Sequence, residues 1–294
     1  MVTLGPERGI SAVQLLSGGY VADAWLITYA DGTRVVGKTL ADAPADLFQA
    51  ESEGLAALRA TGHLSTPDVL AVTSRLLLLE ALAPRDDSQG SWDAFAHDLA
   101  GLHRATVHDR FGWASDSYLG RLVQHSPWTV SGHEFFAQHR VLRYLSEPLV
   151  QRLLTRGDRR ALERFCGRLP EIIPAMPAVL THGDLWSGNL LSRDDGRITV
   201  IDPAVSYAWA EVDLSMLWCC QRPPASDRFF DLYQELNPSP PGWAGRMPLL
   251  HIRELLSCIS HMGDSDGAVQ QLRRTLAPFY RAGRLSGGGT RVDQ

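Results

Sequence analysis

His182-Gly183-Asp184-Leu185-Trp186-Ser187-Gly188-Asn189 runs into Leu190-Leu191, then a turn at Asp194-Asp195-Gly196, then Ile198-Thr199-Val200-Ile201, ending in Asp202. Two acids and an amide therefore bracket a short hairpin. Phosphoryl transfer needs these residue types. One carboxylate must accept or orient a hydroxyl proton, and an amide oxygen with a second carboxylate must hold Mg²⁺, a hard cation that prefers oxygen ligands. A base and an Asn in D-x-x-x-x-N spacing, with a metal-binding Asp on a later loop, is the arrangement such catalysts use. On that reading Asp184 is the base, and Asn189 and Asp202 are the metal ligands. The plain alternative is a polar turn before an ordinary hairpin. H-G-D alone arises by chance; H-G-D-x-x-x-x-N followed by a strand ending in Asp is far more specific.

Toward the N-terminus, residues 10–38 read as antiparallel strands. Ala24 to Tyr29 alternates, Asp31-Gly32 is a strong hairpin turn, and Arg34 to Lys38 is the next strand. Gly18 and Gly19 lie between two strands, where backbone amides can approach phosphates; a plain tight turn explains them as well. The spacing predicts a helix over 46–61, with Phe48, Glu51, Leu55 and Leu58 on one face. A carboxylate on an apolar face needs a partner, and Lys38 at the end of its strand suits that role for Glu51. Glu53 lies roughly 200° around the helix from Glu51 and does not share the face. Lys38 is also the only lysine among 28 basic residues, the others being arginines. Either a bias toward arginine codons left one survivor, or position 38 needs a compact ammonium.

Val69–Val72 and Leu76–Leu79 read as two more strands, and residues 85–91 as a polar linker. Helices are expected over 92–104, 133–145, 150–169, 229–236, 249–262 and 270–280, with another beginning at Glu211, and a loose tail over 284–294. His103 on its apolar helix reads as a hydrogen-bonded core residue rather than a base.

The chain has 294 residues, enough for two lobes and a sizeable core. A net charge of −5 argues against nucleic acid or an anionic membrane as partner. Apolar runs such as Leu76–Leu79 are far too short to span a bilayer, and residues 1–9 lack a signal-peptide pattern. The four cysteines show no zinc-ligand spacing, and Cys219-Cys220 is a poor geometry for a disulfide. Reduced core thiols in a cytoplasmic, monomeric protein are the expectation.

The octapeptide from His182 to Asn189, with Ile201-Asp202-Pro203-Ala204-Val205, resembles the fructosamine kinase (ketosamine-3-kinase) family. The resemblance implies an α+β, two-lobed protein-kinase-like fold. Its small N-lobe (residues 1–82) would hold an antiparallel sheet and one helix, and its C-lobe (83–294) would be mainly helical. It implies ATP and Mg²⁺ as cofactors and a small-molecule ketoamine as acceptor. Gly18, Gly19, Lys38 and Glu51 would serve the phosphates, and backbone groups near Glu80 and Leu82 the adenine. Asp213 would anchor the catalytic loop. The acceptor side is expected at Trp186, Tyr207, Trp209 and Glu211. There the sequence departs from the family pattern: Ser206-Tyr207-Ala208-Trp209-Ala210 replaces Tyr-Tyr-Gly-His-Arg, and 257–261 lacks the usual Asn-His. Another small amino or hydroxyl acceptor, as in aminoglycoside or choline kinases, is the alternative within the class. A nucleotide-binding pseudokinase is the alternative outside it, although such proteins typically lose the base, the metal Asp or the strand lysine, and all three positions are filled here.

Overall fold

Residues 9–16, 22–265 and 267–281 are described by the computed structural model. The first strands form where the alternation placed them: β1 (Ile10–Leu16), β2 (Asp23–Tyr29) and β3 (Arg34–Thr39). Gly32, at φ +83°, makes the β2–β3 turn, and Asp31 closes it by accepting from Thr33 N–H at 2.9 Å. After the helix α1 (Leu47–Ala60), β4 (Val69–Val72) and β5 (Leu76–Glu80) complete an antiparallel sheet in the order β1-β2-β3-β5-β4. Lys38 pairs with Leu77 and Val36 with Leu79, so these four share one face of the pleat. That face packs on Phe48, Leu55 and Leu47 of α1 to make a small core. Each fully buried Leu or Phe there contributes about 1.5–3 kcal/mol.

The remainder is mostly helical around a second, larger core. It comprises α2 (Gln89–Ala105), a hairpin of β6 (Ser117–Leu119) and β7 (Leu122–Gln124), α3 (Gly132–Phe135), α4 (Pro148–Leu153), α5 (Arg156–Gly167) and α6 (Leu169–Ile172). Next come β8 (Val179–Thr181), β9 (Leu190–Ser192), β10 (Ile198–Val200) and β11 (Ser206–Ala208), then α7 (Glu211–Cys219), α8 (Ser226–Leu236), α9 (Trp243–Leu250), α10 (Ile252–Met262) and α11 (Ala268–Thr275). β8 pairs with β11 and β9 with β10, each antiparallel. The loop between β8 and β9 carries the octapeptide.

Four expected helices depart from their boundaries. The one over 150–169 is broken at Leu154, because Thr155 and Asp158 form a reciprocal capping box that starts α5 afresh. The one over 133–145 widens after α3 into π-helical turns, Phe136–Val141, and then a 3-10 stretch, Leu142–Ser146. The one over 249–262 belongs to two helices that meet at His251, just after Pro248, which has no N–H to donate. The last stops at Thr275, and Pro278 sits in the 3-10 turn beyond it. All four cysteines are free, but only Cys166 is fully buried. Among the described residues no helix is long and apolar enough to cross a membrane.

Candidate active site

Lys38 Nζ sits between two carboxylates, 2.7 Å from Glu51 Oε1 and 2.5 Å from Asp202 Oδ1. Three segments converge to make this contact: the end of β3, the inner face of α1 and the turn after β10. Gly54 allows the approach, since a Cβ there would meet Pro203 Cγ at 3.1 Å. Burial alone would drive Lys38 toward neutrality, but Asp202 and then Glu51 more than reverse it, so the ammonium pKa is raised. Glu51 is pushed up to about 7, burial outweighing the attraction of Lys38.

The octapeptide loop is tied down from three sides. Asp213, on α7, accepts from His182 N–H at 2.8 Å and Gly183 N–H at 2.9 Å. Its carboxyl stays below the usual range despite burial because His103 and these amides favour the anion. His103 in turn bridges Asp213 (3.3 Å) and the Tyr233 hydroxyl (2.7 Å), a core histidine as expected. His182 is kept neutral, burial outweighing Asp213. Its Nε2–H donates to Ile201 O at 2.9 Å, so Nδ1 is free to accept from Asp184 N–H at 3.2 Å. One imidazole thus sets the spacing between the chain at Asp184 and the chain leading to Asp202. Gly183 adopts φ +80°, and a Cβ there would lie 2.1 Å from Ala204 O, so no larger residue fits. Arg253 of α10 closes the third side, donating to Gly183 O at 2.6 Å.

Asn189 spends its amide nitrogen on Asp184, donating to the backbone O at 2.8 Å and to Oδ2 at 2.9 Å. This directs its Oδ1 away from the base. Asp202 is one of two non-glycine residues at positive φ among the described residues, +57°, a conformation that costs about 1–3 kcal/mol and collects at functional sites. Asn189 and Asp202 together offer only hard oxygen donors, with no thiol or imidazole between them, and so fit Mg²⁺. Asp184 is half-buried, and loss of solvent around its carboxyl and then the Glu254 carboxylate hold it well above the ordinary range, against Arg253.

At the strand end where adenine was expected, the Glu80 side chain is engaged by Arg193 (2.5 Å) and by Asp68 N–H (3.0 Å). Any contact of Glu80 with a base therefore falls to its backbone. No hydrogen bond occupies Leu82 N–H among the described residues. Gly18 and Gly19, with the turn expected on them, and the tail over 284–294 lie outside the described residues.

Two expected acceptor contacts are corrected. Trp209 is 2% exposed and packs on Phe111, Phe136 and His133. It is a core residue because β11 turns it into the helical half. Glu211 is equally enclosed, and Arg246 takes both its carboxylate oxygens. Tyr207 is stacked on His108 and packed against Trp113. Trp186 remains beside Asp184, its ring lying so close over Gly188 that a Cβ there would overlap it. The pair the sequence reading missed is Arg253 and Glu254. The signal was available: charged residues inside the apolar stretch 249–262 need partners for the same reason as Glu51.

The fructosamine kinase family model matches residues 2–277. A protein of Synechocystis sp. named a probable ketoamine kinase is 32% identical over 297 residues, covering 95% of this chain and 94% of its own. A protein-ribulosamine 3-kinase of Oryza sativa subsp. indica is 29% identical over 259 residues, 85% of this chain and 73% of its own. A crystal structure from Thermobifida fusca, named provisionally as a fructosamine-3-kinase, superimposes with a TM-score of 0.82 at 33% identity, covering 94% of this chain and 95% of the other.

Proposed function

The chain belongs to the fructosamine kinase family, and from that premise we propose that it transfers the γ-phosphoryl group of ATP to the 3-hydroxyl of a small ketoamine. It is an ATP-dependent phosphotransferase with a two-lobed, kinase-like α+β fold. The observation that carries the finer reading is the Lys38 bridge between Glu51 and Asp202, facing a loop on which Asp184 and Asn189 are bonded to each other. We divide the lobes at residue 82, where the sheet ends and the helical half begins.

Asp184 orients the acceptor hydroxyl and takes its proton as the bond to phosphorus forms. Lys38, held by Glu51, positions the α- and β-phosphates. Asn189 Oδ1 and the Asp202 carboxylate hold Mg²⁺, which when bound neutralises charge on the phosphates. Glu80 O and Leu82 N–H face the adenine edge, Gly18 and Gly19 the phosphates, and Trp186 the acceptor. The enzyme works as a cytoplasmic monomer on this reading, and gel filtration checks the second word.

The deciding experiment is ADP release from Mg-ATP across a panel of ketoamines, aminoglycosides and amino alcohols, with fructosyl-lysine as the first member. Turnover confined to ketoamines is the expected result. Turnover with an amino alcohol or aminoglycoside alone would replace the acceptor. No turnover with any member would favour a nucleotide-binding role without transfer.

A further inference from the structure

Glu254 is a largely enclosed carboxylate near Asp184, its side chain 16% exposed, without a close counter-ion. Its Oε2 is buried and accepts no hydrogen bond. Its Oε1 meets only the Cys258 thiol, at 3.7 Å. The nearest cation is Arg253, with Nη2 3.6 Å from Oε2, but that nitrogen already donates to Gly183 O at 2.6 Å. The same bond fixes the location: one guanidinium nitrogen touches both Glu254 and the residue before Asp184. A second set of unmatched groups lies on the β6–β7 hairpin. Ser117 and Gln124 are paired across the hairpin, so their side chains share a face. Both are more than nine-tenths buried, and Ser117 Oγ and Gln124 Oε1 have no partner. Tyr144 joins the two sets. Its hydroxyl accepts from Gln124 Nε2 at 3.1 Å, its phenol is raised by burial and by Glu254 against Arg253, and its 3-10 stretch packs against α10.

Buried polar atoms without partners are rare in folded chains, and each costs about 1–3 kcal/mol if nothing satisfies it. Several gathered beside a catalytic carboxylate describe a surface completed by a ligand. The unmet need at Glu254 is for a cation that also donates hydrogen bonds. We propose that Glu254 binds the protonated amine of the acceptor and thereby selects cationic ketoamines, with Ser117 and Gln124 receiving polar groups of the same molecule. The inference rests on the ketoamine kinase reading. It fits that chemistry because the amine of a ketoamine is two carbons from the carbon that bears the reacting hydroxyl, so an ammonium site must lie close to the base.

Steady-state kinetics of the enzyme test it, with fructosyl-glycinamide as the cationic acceptor and its N-acetyl derivative as the neutral one. Glu254→Gln is expected to raise KM for fructosyl-glycinamide by about 10- to 100-fold, the loss of one charge-assisted contact. The KM for Mg-ATP and the thermal midpoint should stay near wild type, the KM for the neutral acceptor should not rise, and any change in kcat, which would come through the Asp184 carboxyl that Glu254 raises, should be the same for both acceptors. Glu254→Asp should recover part of the loss. A variant that keeps its preference for the cationic acceptor would overturn the assignment. So would one that loses both acceptors and Mg-ATP equally, since that marks a structural role. A wild type inert toward every ketoamine would overturn the kinase reading, and this inference with it.

Discussion

Lys38 shows how much one side chain is asked to do. It is buried, it bridges two carboxylates within 2.7 Å, and it is the single lysine of the chain. A guanidinium carries the same charge but is planar, wider and forked, and the slot between Glu51 and Asp202 is one ammonium wide. Lys38→Arg is therefore expected to lose most activity while the protein stays folded, read by turnover alongside circular dichroism. A fully active variant would return the lone lysine to codon bias. Asp184→Asn keeps the shape and the bond from Asn189 but removes the proton acceptor. It should cut kcat by about 10²–10⁴-fold and leave Mg-ATP binding, measured by calorimetry, nearly unchanged. Near-normal turnover would take the base role from Asp184. These residues were legible in the sequence because their relations are local. Asp184 and Asn189 share one loop, and Glu51 declares itself by helical periodicity. Trp209 and Glu211 were misjudged because their surroundings are not local: the partner of Glu211 is Arg246, 35 positions on.

The junction of α9 and α10 is an element whose form the sequence hid and whose chemistry has a measurable consequence. The apolar stretch reads as one helix, yet it turns at His251, which is 5% exposed and leaves Nδ1 without a partner. Burial, with Arg253 adding to it, lowers this imidazole to about 4. In the unfolded chain it would titrate near 6.5. Between those values the unfolded state binds more protons than the folded one, so stability rises with pH and is lost as pH falls from about 6.5 to 4. The full loss is about 3 kcal/mol. His251→Leu fills a similar volume without a titrating group. Urea unfolding at pH 7 and pH 4.5 should show a shallower decline for the variant than for wild type. An identical decline in both would place the acid sensitivity elsewhere. Capping failures follow the same logic: the Thr155–Asp158 box was written in the sequence, but the apolar periodicity on both sides masked it.

The two cores meet through a few contacts, and those contacts surround the nucleotide side. Lys38 reaches Asp202, Gly54 abuts Pro203, and Ser65 Oγ and Thr199 Oγ1 share a hydrogen bond at 2.9 Å. The Tyr118 hydroxyl donates to Asp46. Arg193, in the β9–β10 turn, makes the densest of them. It pairs with Glu80 at 2.5 Å and donates to Thr66 O at 2.9 Å and Ser65 Oγ at 3.1 Å. Ala83 and Ser192 add two backbone bonds beside it. The Arg193 contacts could not be read in advance, because the partners lie 113 to 128 positions apart and nothing local marks them. The turn bearing Arg193 belongs to the same hairpin that separates Asn189 from Asp202, so one arginine sets the strand end at Glu80–Leu82 relative to the proposed metal ligands. Arg193→Met keeps the stem and removes the donors. The pair is only partly buried, so the stability cost should be modest, about 1–2 kcal/mol. The kinetic effect should be selective: KM for Mg-ATP rises several times more than KM for the ketoamine, because on the proposed reading adenine meets the Glu80–Leu82 side of this joint and the phosphates its Asn189–Asp202 side, while the acceptor meets only the latter. Varying each substrate in turn decides it. An equal rise in both constants would show that the joint supports the fold as a whole rather than the nucleotide cleft.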